Sequence, residues 1–187
     1  MTYIAIIFSA VFLSNILLSS LVGFPFLGKD VSLRKVLVIG IKTLIISLFT
    51  GVIVYPISKF LLEPESWTFL TIIITVLVAA NITLGVNALS KKLKVEEEVT
   101  NELELFAPFN AVIVVSSLLV ATNQTYLGAV ANIIGLGLGY ILVTLMLFMI
   151  KPRLDLPGLP KAFRGIPILL VTLGLIAMVF MGLSGIF

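Results

Sequence analysis

Long apolar runs alternate with short charged connections along this chain. Crossing a hydrocarbon core about 30 Å thick takes ~20 apolar residues in a helix. Windows of roughly that length fall at 2–23, 36–58, 67–89, 105–122, 126–150 and 165–186, the fourth being the shortest. The pattern predicts an all-α integral membrane protein with six transmembrane helices. An odd number of spans in each half gives the halves opposite orientations, so the predicted arrangement is two inverted three-helix repeats in one membrane domain. The first repeat covers 1–89 and the second 105–187. The polar stretch "SKKLKVEEEVTNELE" holds the linker at 90–104. "NILLSSLV" and "NAVIVVSSLLV" look alike across the two halves, which is compatible with a repeat and equally with chance between apolar segments.

Composition supports the same class. The chain is 60% hydrophobic and 11% charged, against about 25% charged in soluble domains. "MTYIAII" lacks a basic leader, so the first run is expected to be a retained span rather than a cleaved signal. There is no cysteine and no histidine. That excludes disulfides, thiolate nucleophiles, Cys/His zinc sites and Cys- or His-ligated iron centres. No nucleic-acid partner is expected.

Charge placement sets an expected orientation. Ten of the cationic residues lie in the first, third and fifth connections, and only Lys59 lies in the second or fourth. The positive-inside rule then puts the odd connections in the cytoplasm and both termini outside. Tyr3, Tyr55, Trp67 and Tyr126 fall at the span ends assigned to the outer face, where amphipathic rings prefer to sit. The expected location is the cytoplasmic membrane of a bacterium or archaeon, with membrane lipids as surroundings.

Polar groups inside the spans are the candidates for function. Asn15, Ser19, Ser20, Lys42, Asn81, Asn87, Asn110, Ser116, Ser117 and Asn132 all fall within the windows. An amide in hydrocarbon must find a partner. These residues therefore either bond between helices or line a polar path, for which Asn15, Ser19, Lys42, Asn81, Asn110, Ser116 and Ser117 are the candidates. Lys42 either stretches its ammonium toward the cytoplasmic surface or serves an ion site. Ala131, Gly135 and Gly139 recur every four residues and make one small face for close helix packing. The stretch "SLVGFPFLGKD" places Gly23, Pro25 and Gly28 at the end of the first run. It reads as a helix end with a turn or as a break within the membrane. Pro108 lies near the start of the fourth run, on the opposite side of its matching segment. The fourth helix is expected to be short.

The C-terminal stretch carries a family likeness. Phe163-Arg164-Gly165 leads into the last span, and Met181-Gly182-Leu183-Ser184-Gly185 closes it. This strongly resembles the A-type membrane subunit of Rnf complexes, called E in Nqr complexes. "SNILLSSLVGFPFLG" and "ELFAPFNAVIVVSS" resemble that family's first and fourth spans. The resemblance implies a subunit of a complex that passes electrons between ferredoxin or NADH and NAD or a quinone, and moves sodium ions or protons. It implies a paralogous six-helix partner, broken first and fourth helices, and a shared 2Fe–2S cluster held by two cysteines from each subunit. Here Phe24 and Val114 stand at the two cysteine positions. Neither can ligate iron, so no cofactor is expected in this chain. Phe24 would fill the cluster's volume with a ring. Engineered removal of cysteine usually leaves Ser or Ala, which is not the pattern here.

Two functions follow as expectations. One is a membrane subunit of an Rnf/Nqr-like ion-translocating electron-transport complex without its own cluster, joined by a paralogue and by other subunits of such a complex. The alternative is a cofactor-free ion or small-solute transporter on the same fold, paired with a paralogue or a second copy. No catalytic residues are identified, and no activity is expected of the isolated chain.

Overall fold

A computed structural model describes residues 3–20, 32–92, 113, 125–154, 160 and 163–183. The described residues form helices and the turns between them. The first apolar run does not continue as one helix. Helix α1 (Tyr3–Phe12) stops, and α2 (Ile16–Ser20) starts again after Asn15. At the break, Leu13 and Ser14 both donate their backbone N–H to the Ser9 carbonyl, at 2.8 and 2.9 Å. The Asn15 amide spans the gap. Its Nδ2 donates to the Val11 carbonyl at 2.9 Å and its Oδ1 accepts from the Leu17 N–H at 3.1 Å. It thereby caps α2 as a helix N-cap does and serves a carbonyl that α1 leaves open. The expected break near Gly23, Pro25 and Gly28 lies outside the described residues, so the interruption seen here is an earlier one.

Helix α3 (Leu33–Ile57) begins with Ser32 as its cap, Oγ accepting from the Lys35 N–H at 3.3 Å. Pro56 lies inside it and has no N–H to give. Beyond Pro56 the ladder widens to a π-turn over Ser58–Leu62, where the Glu63 N–H reaches the Ser58 carbonyl at 2.9 Å. A tight turn follows, with Ser66 at φ 59°, and leads through Thr68–Leu70 into α4 (Thr71–Lys92). Helix α5 (Tyr126–Leu154) is the longest of the α-helices, and α6 (Ile166–Leu183) follows Gly165 at φ +81°. Only glycine adopts that conformation freely, which gives the Phe-Arg-Gly lead-in a structural reason.

Three of these stretches are long and apolar enough to cross a membrane: Leu33–Leu62, Thr68–Ser90 and Tyr126–Leu154. Tyr3–Ser19 and Ile166–Gly182 are shorter apolar helices. The second predicted span therefore runs past residue 58 to Leu62, because the π-turn prolongs it, and the fifth runs on to Leu154.

Helix α5 is the hub, touching α1, α2, α3 and α6, while α4 packs along α3. Gly128 approaches Ile6, Gly135 approaches Ile7 and Ala10, and Gly139 approaches Val11 and Asn15. Both helices advance together, so α1 and α5 are parallel. Helix α3 runs against α5: Gly40 meets Ile141, Gly137 meets Leu44, and the Tyr55 and Tyr126 rings stack edge-on at 5.5 Å. Tyr3, Tyr55, Trp67 and Tyr126 consequently gather at one end of the bundle. Arg34, Lys92, Lys151, Arg153 and Arg164 belong to the other. Leu17, Tyr140, Val143, Leu169, Leu173 and Phe180 form the main core around α5.

Candidate functional site

Two polar features are built into the bundle. The first is the seam of α1 and α5. Ala131, Gly135 and Gly139 are all buried. A Cβ on Gly135 would stand 2.7 Å from the Ile7 carbonyl oxygen, and one on Gly139 would stand 2.9 Å from the Val11 carbonyl oxygen. The absent side chains let the two backbones approach, and the break at Asn15 is clasped against α5 at that point.

The second feature is a set of buried polar side chains on α3 and α4. Thr43, Ser47 and Thr50 on α3, and Thr75, Thr83 and Asn87 on α4, are all buried. Ser47 and Thr50 return their protons to the carbonyls four residues back, at 2.7 Å, and so do Thr75 and Thr83. Such bonds satisfy a hydroxyl within its own helix. Thr43 Oγ1 and both amide atoms of Asn87 make no hydrogen bond. Lys42 is 5% exposed, enclosed by protein rather than standing at the surface. The Tyr140 hydroxyl is buried without a hydrogen-bond partner, and Thr144 donates to the Tyr140 carbonyl at 2.7 Å.

The residues singled out in sequence are thus divided. Asn15 and Lys42 are buried, in different seams. Ser19 and Asn81 are exposed, and Asn81 donates to its own helix at the Leu77 carbonyl, 2.8 Å away. Asn110, Ser116, Ser117, Phe24, Val114 and Pro108 lie outside the described residues. Their neighbour Ile113 is fully buried and clusters with Ile46 and Ala79. The buried hydroxyls of α3 and α4 were not among the candidates. Their spacing of three and four residues, 43-47-50 and 71-75, is a helical-face pattern that could have marked them.

The donor set does not fit an iron–sulfur cluster. The whole chain lacks cysteine and histidine, the ligands such clusters take. Among the described residues no group of three acidic side chains gathers that could hold a metal ion.

Residues 3–187 match the family described as "Rnf-Nqr subunit, membrane protein". The A-type subunit of the Na(+)-translocating ferredoxin:NAD(+) oxidoreductase complex of Acetobacterium woodii is 30% identical, over 99% of this chain and 98% of that protein. The A-type subunit of the ion-translocating oxidoreductase complex of Buchnera aphidicola is 27% identical, over 98% and 97%. Its counterpart in the proton-translocating ferredoxin:NAD(+) oxidoreductase complex of Clostridium ljungdahlii is 25% identical over the same shares.

Proposed function

Because the chain belongs to the Rnf-Nqr family of membrane subunits, we propose that it is a membrane-embedded subunit of an ion-translocating electron-transport complex, present as scaffold and polar path and not as a cluster carrier. The observation that carries this is the end-to-end match to A-type subunits. The missing ligands at Phe24 and Val114 separate this chain from the electron route that the resemblance implies.

The inverted repeat belongs to the same proposal, and the packing supports it. Helices α3 and α5 make reciprocal contacts, a glycine of each meeting a branched side chain of the other at Gly40–Ile141 and Gly137–Leu44. Helix α1 packs on α5, and Ile113 of the fourth predicted span packs on Ile46 of α3. Helix α4 lies on α3, and α6 lies on α5. These are the pairings that a two-fold operation exchanging α3 with α5 would produce, which supports the reading. The cationic residues collected at one end of the bundle support a topology with both termini outside.

A second reading, a cofactor-free transporter on this fold, is favoured by the lack of cysteine and histidine. Purification from native membranes, with measurement of iron, flavin and subunit content, separates the two. Recovery with flavin- and cluster-bearing subunits is the expected result. A homodimer without such subunits would select the transporter.

A further inference from the structure

Asn87 behaves unlike the other amides whose bonds the structure gives. Asn15 and Asn81 each turn Nδ2 back onto the carbonyl four residues earlier. Asn87 is 0% exposed, and neither its Nδ2 nor its Oδ1 has a partner. Thr43, also 0% exposed, leaves its hydroxyl unpaired while Ser47 and Thr50 beside it bond their own helix.

The two orphans flank one apolar cluster, in which Ile46 of α3 and Ala79 of α4 pack together with Ile113, Ile82 and Val86. Three residues before Ile46, on the same face, lies Thr43. The matching step along α4 leads from Ile82 to the turn holding Val86 and Asn87. An unpaired amide in an apolar setting is costly, so two orphaned groups flanking one apolar cluster point to something that bonds both.

We propose that Thr43 and Asn87 hold water in a polar pocket between α3 and α4, connected to the cationic end of the bundle. Water fits because the pocket offers donors and acceptors together: a hydroxyl, an amide N–H pair and an amide oxygen. A buried water makes about three such bonds. A metal cation would use only the oxygens, and would do so beside the buried Lys42. Asn87 lies five residues before Lys92, or ~7 Å along a helix, so the bulk phase at that end is within a few water diameters. The site belongs to the α3–α4 pair itself and holds whichever complex the chain joins.

The chain's lack of cysteine makes the test direct, since a single introduced thiol gives the only S–H stretch in the infrared spectrum. In the full-length protein in lipid, Asn87→Cys and Thr43→Cys are expected to gain an S–D band on transfer to D2O, whose own O–D stretch hides the S–H region. Ala79→Cys, buried at the apolar Ile46 contact, should not gain it. Absence of the S–D band at Asn87→Cys, or an equal band at Ala79→Cys, overturns the proposal. Asn87→Leu gives an independent readout. It should lower the thermal midpoint by expelling water and stranding Thr43, whereas a rise would mark a dry, unpaired amide and also overturn the proposal.

Discussion

The Cβ that Gly139 lacks would stand 2.6 Å from the Asn15 amide nitrogen. One residue marks the break in the first helix, and the other leaves the room in which that break is clasped. Gly139→Ala should be destabilising. The new methyl also meets the Val11 carbonyl oxygen and Cα at 2.9 and 3.1 Å, backbone atoms that cannot rotate aside. Overpacking of this kind costs about 1–3 kcal/mol, against about 1 kcal/mol gained in helix propensity. Gly174→Ala supplies the contrast, because nothing lies within 4 Å of that position. It should be neutral or stabilising by up to about 1 kcal/mol. Thermal unfolding of both variants in one detergent checks the pair.

Asn15→Leu should loosen the junction of α1 and α2 by removing both bonds the amide makes, to Val11 and to Leu17. Loss of the cap alone costs about 0.5–2 kcal/mol. Asn15→Ser keeps a capping acceptor for the helix N-terminus without a buried charge and gives up the amide bond to Val11, so its thermal midpoint should lie between wild type and Asn15→Leu.

Much of this arrangement is legible in the sequence. The four-residue spacing of Ala131, Gly135 and Gly139 marks a face made for close approach, because helical period and side-chain size are both local. Span positions are legible because apolar length is read along one strand of chain. What cannot be read is the rotation of each helix. Helix α4 carries polar groups on more than one side, Asn81 on one and Thr75, Thr83 and Asn87 on another, so an asparagine alone does not say which face turns inward. Asn81 and Asn87 therefore look alike in sequence, yet one faces out and the other in. Pairing Thr43 with Asn87 needs the α3–α4 register, and Ile46 and Ala79 set it through contacts across the fold.

Gly165→Ala should destabilise the start of α6 through backbone conformation alone. Its φ is +81°, and no atom lies within 4 Å of the would-be Cβ. The left-handed penalty for a residue bearing a Cβ is about 1–2 kcal/mol. Gly165→Asn should recover part of it, since Asn tolerates positive φ better. Amide exchange at the first turn of α6, compared between the two variants, measures the difference locally.

Iron analysis of the purified chain should find no stoichiometric metal, and chelator treatment should leave its thermal midpoint unchanged. The ground is the sequence, which offers neither thiolate nor imidazole anywhere along its length. A stoichiometric iron content resistant to chelation would contradict it and demand oxygen ligands alone.

Asn81 makes the most direct case for a neighbouring subunit. It stands near the middle of the Thr68–Ser90 span, on the exposed side of α4, among exposed Leu77 and Leu84 and open Gly85. Its Nδ2 is engaged at Leu77, and its position toward the bilayer centre makes a remaining carbonyl lone pair costly unless another helix covers it. Interhelical bonds of this type contribute about 0.6–2 kcal/mol in membranes. Asn81→Leu should therefore weaken copurification with a second membrane subunit while leaving the isolated chain as stable as before, or more so. Asn81→Gln, which keeps the amide, should retain most of the association. Equal copurification of wild type and Asn81→Leu across rising detergent concentration would mean that lipid, and not protein, covers this face.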